Sequence, residues 1–225
     1  GQVHGQQIRR AGGEGEQGDA RLGQEVGRRG HGAVAAGRHH GIEILGIAEE
    51  VGQVGAAVGA GAGALIGNKM DKQKKELQQQ LGDQAKVEET TDQNGLKAIK
   101  VTFDGGILFP TGKYTLNPQA QADLTRFAAS LKENPNTNVQ IYGFTDNTGS
   151  FEVNQRLSGE RADAVLSYLA NSGVSPTRLS AQGIPMADYV ASNETAAGRA
   201  QNRRVEIYIS ADKQMIEQAQ AGTLK

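Results

Sequence analysis

The aromatic residues of this chain are confined to its second half, and that limits where a packed core can form. All five Phe and all five Tyr lie at or beyond Phe103, whereas 19 of the 31 Gly fall within the first 67 residues. Large rings supply much of the apolar volume around which a small domain packs. One globular domain is therefore expected, toward the C-terminal side. A length of 225 residues leaves room for that domain and a long flanking segment.

Charge and residue inventory then narrow the function classes. Residues 86–210 hold 12 Lys and Arg against 13 Asp and Glu. That is no footprint for a phosphate backbone, and nucleic acid is not an expected partner. The chain contains no Cys, which removes disulfides, thiolate metal sites, a cysteine nucleophile and the acylated cysteine of a bacterial lipoprotein. All four His precede residue 51, so the expected domain has neither a His-based nucleophilic pair nor the usual zinc ligands. Asp104, Asp146, Glu152 and Glu160 are available as carboxylates, but their spacing indicates no shared site. No catalysis, no cofactor and no metal are expected. No segment combines a basic start, an apolar core and a small-residue cleavage site, so composition alone assigns no compartment.

Along the chain, residues 1–50 are rich in Gly, Arg, Gln and Glu and show no sustained helical or strand period; they are not expected to fold alone. His39 and His40 lack a spaced third ligand and read as a solvated pair. Within residues 51–68, Gly55, Gly59, Gly63 and Gly67 recur every fourth position among small apolar residues. On a helix they form one smooth stripe, suited to packing against a membrane or in a homo-oligomer. A flexible linker is the other reading, because Gly is a poor helix former and the run is shorter than the ~20 residues that span a bilayer. Residues 69–85 read as a polar, solvated helical spacer whose only large apolar residues are Met70, Leu77 and Leu81. Deleting residues 1–84 is accordingly expected to leave a folded domain.

The domain itself, residues 86–210, opens with a strand at Val87–Thr91, a hairpin turn at Asn94-Gly95 and a strand alternating through Ile99, Val101 and Phe103. Ala120, Leu124, Phe127, Ala128 and Leu131 then repeat at helical spacing until Asn134-Pro135. Val139 and Ile141 line a strand, with Gly143 continuing the same face. A helix over Phe151–Asn171 turns Leu157, Ala162, Val165, Leu166 and Leu169 inward and stops at Gly173. A short strand at Leu179–Gln182, a long loop and a last strand at Arg204–Ile209 follow, and residues 211–225 form a tail. This alternation predicts an α+β sandwich with helices on one face of a mixed sheet.

The stretch from Ile141 to Leu169 carries the chemistry. A strand ends at Asp146, a Gly-containing turn follows, and Asn154, Ser158 and Arg161 share one helix face. Arg161 stands where the apolar stripe through Leu157 and Val165 asks for a hydrophobic residue, so its guanidinium needs a partner. Asp146 is the natural candidate, either in a structural ion pair or in a ligand site.

The run GFTDNTGSFEVNQRLSGERADAV resembles the signature of OmpA-like peptidoglycan-binding domains, and ILFPTGKYTLNP and NETAAGRAQNRRVEIYI resemble that family's entry turn and closing strand. The resemblance covers residues 86–210 and implies a two-layer sandwich on a mixed four-stranded sheet. It also implies non-covalent binding of the diaminopimelate in a peptidoglycan stem peptide, tethering a Gram-negative outer membrane to the wall from the periplasm. Asp146 and Arg161 match the family's ligand-binding Asp and Arg, Asn154 matches a supporting position, and Thr148, Thr111, Gly112 and Arg203 are further candidates. The chemistry suits a zwitterion: a carboxylate meets its ammonium and a guanidinium fork takes its carboxylate. Pro110 and Phe144 depart from the family pattern, as does Gly112, where Asn is frequent. An envelope assembly or interaction protein that has lost the ligand is the alternative; a motor-type ion-conducting subunit would need a spanning helix bearing an acid.

Overall fold

Alternating apolar residues build the sheet, and the helical repeats cover one of its faces. The computed structural model describes residues 58–225; the 1–50 segment, His39, His40 and Gly55 lie outside the described residues. The first two strands, β1 (Lys86–Thr91) and β2 (Lys97–Asp104), form the hairpin across Asn94-Gly95, where Gly95 takes a φ of +74°. Asp92 Oδ1 closes that turn by accepting from the Asn94 and Leu96 N–H groups. The remaining strands are β3 (Thr137–Phe144), β4 (Leu179–Ile184) and β5 (Arg204–Ala211), and the order across the sheet is β1-β2-β5-β3-β4. Only β3 and β4 run parallel. The sheet thus has five strands, not four. Both edge strands, β1 and β4, pair along their length, although β4 is half-buried and poor in β-branched residues, which is why its weight in the sheet is hard to read from sequence.

Helices α1 (Ala60–Leu81), α3 (Pro118–Glu133) and α4 (Phe151–Asn171) cover the face formed by Ile99, Val101, Phe103, Val139, Ile141, Val205, Ile207 and Ile209. Phe127 of α3 meets Phe103 of β2 edge to face at 6.2 Å. Two short helices, α2 (Gly105–Leu108) and α5 (Ala196–Asn202), sit at the strand ends.

Two segments depart from expectation. The solvated spacer is the larger part of α1, and Ile66, Met70, Leu77 and Leu81 on one narrow stripe are almost wholly buried against the sheet, α3 and the C-terminal helix. A helix that is polar on most of its circumference still docks when one stripe is apolar. Leaving out residues 1–84 would uncover that stripe's partners. The expected tail continues β5 to Ala211 and then folds as α6 (Lys213–Gln220), capped by Asp212, whose Oδ1 accepts from the Met215 N–H at 2.7 Å. Met215, Ile216 and Ala219 bury the inner side of α6. Of the glycine stripe, Gly67 is buried beside Lys97, while side chains added at Gly59 and Gly63 would meet nothing.

Candidate functional site

The carboxyl end of β3, the amino end of β5 and the first turns of α4 converge at one end of the sheet. Their meeting depends on α4 lying almost on the strands. A Cβ at Gly143 of β3 would come within 2.2 Å of the Ser158 carbonyl oxygen, and one at Gly183 of β4 within 2.4 Å of Ser158 Oγ. Glycine at both positions lets the helix backbone approach. That approach carries Asn154, Ser158 and Arg161, one turn apart, into the interior.

Asp146 follows β3 and is 5 % exposed. Its Oδ1 accepts from the Thr148 N–H at 2.8 Å, and its Oδ2 from Arg203 Nη1 at 2.5 Å. Burial pushes its carboxyl pKa up, but the Thr148 N–H and the Arg203 guanidinium outweigh burial and hold it below the usual carboxylate value. Asn154 braces the turn between them: its Nδ2 donates to the Thr148 carbonyl at 2.8 Å and to the Ser150 carbonyl at 3.0 Å. Gly149, with a φ of +89°, allows the bend.

Arg161 is 4 % exposed. Its Nε donates to the Lys113 carbonyl at 3.1 Å, and its guanidinium lies 5.3 Å from the Phe109 ring centre. The Pro110–Lys113 turn, closed by Lys113 N–H to Pro110 O at 3.0 Å, puts Thr111 and Gly112 at an exposed tip beside this contact. Gly112 adopts a φ of +68°. Burial lowers the Arg161 pKa, Arg203 lowers it further, and Asp146 opposes both. The direct Asp146–Arg161 ion pair anticipated from spacing is not formed. Arg203 takes that place, while among the described residues no carboxylate pairs with Arg161 and its two terminal nitrogens carry no hydrogen bond to protein.

The cluster therefore holds one carboxylate and two guanidiniums, with the donors of one guanidinium open. It presents an excess positive charge in a largely desolvated setting, which favours a ligand carboxylate. Of the candidates, Asp146, Thr148, Asn154, Arg161 and Arg203 come together, with the Thr111–Gly112 tip alongside; Gly59, at the N-cap of α1, and Gly63 and Gly67 within that helix lie away from them.

Sequence reasoning missed Phe109 and the Lys113 carbonyl, which act through ring and backbone. It also missed the loop after β4. There Met186 and Asp188, both at φ +49°, are held by Thr145 Oγ1, which accepts from the Met186 N–H, and by Arg204 Nη2, which donates to the Asp188 carbonyl. Asn202, fully buried, accepts from the Val190 and Ala191 N–H groups through Oδ1. The loop so fixed leaves Tyr189 exposed. The turn-forming Ser192-Asn193 and Asn202 were the available signals. Among the described residues, no three His, Cys, Asp or Glu side chains converge to hold a metal, and no helix is long and apolar enough to cross a membrane.

Residues 108–203 match the model of the OmpA family. Over 177 residues the chain is 37 % identical to the probable lipoprotein YiaD of Escherichia coli, covering 70 % of this chain and 81 % of that protein. It is 41 % identical over 113 residues to the peptidoglycan-binding protein ArfA of Mycobacterium tuberculosis, covering 50 % of this chain and only 35 % of that longer one. Among solved structures, the cell wall anchor of the T6SS from Pseudomonas aeruginosa superposes with a TM-score of 0.53 at 30 % identity, over 60 % of this chain and 97 % of that one.

Proposed function

This chain belongs to the OmpA family, and from that premise we propose that it binds peptidoglycan non-covalently through the diaminopimelate of the stem peptide, tethering the outer membrane to the wall. The observation that carries the proposal is the buried Arg161 fork, whose terminal donors face no protein acceptor, next to the buried carboxylate of Asp146. Arg161 takes the ligand carboxylate, Asp146 its ammonium, and Asn154 and Thr148 hold the turn that aims Asp146. The exposed Thr111–Gly112 tip offers backbone groups to the rest of the stem. Nothing in this arrangement calls for a bond to be made or broken, so the role is that of a grip. The names of its relatives, a probable lipoprotein and a peptidoglycan-binding protein, support the same reading.

Each charge-assisted hydrogen bond is worth roughly 1.5–3 kcal/mol, and association costs absorb much of the sum. A single contact is weak, and many copies along a polymeric wall supply the hold. Packing of the open Gly59–Gly63 end of α1 against membrane or a second copy belongs to the same proposal. The test is co-sedimentation of the full chain with purified, protein-free peptidoglycan, alongside Asp146→Ala and Arg161→Ala variants shown to be folded. Loss in both variants supports the zwitterion grip. Wild-type chain left in the supernatant would instead favour an interaction domain without this ligand.

A further inference from the structure

Asp146 is already held by a cation of its own chain. In its ion pair with Arg203, the carboxylate side chain is 7 % exposed and the guanidinium side chain 40 %. The Arg203 backbone is fixed on both sides: its N–H donates to the Arg199 carbonyl at 3.1 Å, and its carbonyl accepts from the Gly105 N–H at 2.8 Å. The side chain makes no second hydrogen bond among the described residues. Rotation about its own bonds therefore releases the guanidinium to water while the backbone stays in place.

On the footing of the peptidoglycan reading, we propose that Arg203 is an internal competitor at Asp146: its guanidinium occupies the place that the ligand ammonium takes, and binding exchanges one cation for the other.

The charge count favours exchange over addition. One carboxylate already faces two guanidiniums, and a zwitterion adds one charge of each sign. With Arg203 in place, the incoming ammonium would share a single carboxylate with a guanidinium bonded to the same oxygen, close to a second buried cation. Arg161 is not the group that yields, because it is 4 % exposed, tied to the Lys113 carbonyl and within cation–π range of the Phe109 ring. Nor does Asp146 turn away, since Thr148 holds its other oxygen. Arg203 is the one charged member of the cluster with both exposure and freedom. Exchange also makes Arg203 a specificity-determining residue: a lone amine must displace it without the carboxylate contact to Arg161 that a zwitterion brings.

The test uses the full chain, its Arg203→Met and Arg203→Lys variants, and two ligands followed by NMR titration. One ligand is free diaminopimelate and the other heptanedioate, the same carbon chain without amino groups. Competition by a pair of this exposure predicts that Arg203→Met binds diaminopimelate about three- to tenfold more tightly than wild type. Heptanedioate binding stays equal or weakens, and Arg203→Lys falls between for diaminopimelate. A methionine variant that binds diaminopimelate no better than wild type, or worse, overturns the proposal and makes Arg203 a spectator or a direct contact. Should wild type and both variants bind neither ligand, the peptidoglycan reading itself falls, and the competitor falls with it. Thermal melts of the variants separate either result from misfolding.

Discussion

Replacing Gly143 by Ala tests the link between the fold and the site. The added methyl would stand 2.2 Å from the Ser158 carbonyl oxygen, whereas ordinary contact begins near 3.4 Å. Helix α4 must therefore retreat from β3 by about 1 Å, or β3 must buckle, at a cost of roughly 1–3 kcal/mol for overpacking. For a domain of this size that lowers Tm by roughly 3–9 °C. The retreat also draws Arg161, which follows Ser158 by three residues on the same face, away from Asp146. Binding sites tolerate about 0.5 Å of such error, so peptidoglycan retention is expected to fall at least about tenfold beyond any loss of folded protein. Gly159, the next residue on α4, provides the internal control. A Cβ there meets nothing within 4 Å, and Ala in place of a mid-helix Gly stabilises by about 0.8–1 kcal/mol. Differential scanning calorimetry with co-sedimentation should thus show opposite signs of ΔTm for two Gly→Ala changes at one helix. Equal melting temperatures and unchanged binding for Gly143→Ala would refute close approach of α4 as what positions the site.

Leu77→Ala addresses α1: the side chain is fully buried, so the change is expected to cost about 2–5 kcal/mol in urea denaturation, and a cost below about 0.5 kcal/mol would show α1 undocked in solution. The Asp146 carboxyl predicts an acid dependence. Because its folded pKa lies below the ordinary 3.8, its contribution to stability is complete above that value and is lost as pH falls through the folded pKa. The stability gap between wild type and Asp146→Asn should be flat above about pH 5 and shrink below 3.8; a gap that keeps growing on acidification would contradict the assigned direction.

Legibility followed the strength of local signals. The α3 and α4 ranges, the hairpin turn and the strand alternation could all be read because period, proline, glycine and capping residues agree there. Docking of α1 was not legible, since the four large apolar side chains it buries are spread over 22 residues and leave most of its circumference polar. The fold of α6 was equally hidden in eight residues whose apolar face counts only once α1 and β5 are beside it. At the site, the shared helix face of Asn154, Ser158 and Arg161 was visible from spacing. Which arginine reaches Asp146 was not, because Arg203 arrives from 57 positions away through the register of β5 against β3. Long-range register of that kind leaves no trace in a local window.

The two ends of the sheet have different neighbours, and this bears on how the molecule carries load. Asp146 and Arg203 stand where β3 ends and β5 begins, whereas the early turns of α1 sit by the opposite end, where Lys97 pairs with Asp71 and Lys69 donates to the main-chain oxygen of Lys225, beyond α6. If the wall is held at Asp146 as proposed, a pull between it and the chain's N-terminal side runs along the strands. The central β3–β5 ladder, from Thr137–Ala211 to Gly143–Val205, lies along that line with its hydrogen bonds across it. Force along that line loads those bonds together in shear instead of opening them one by one, so that the proposed tether would yield at its ligand before it yields in its fold.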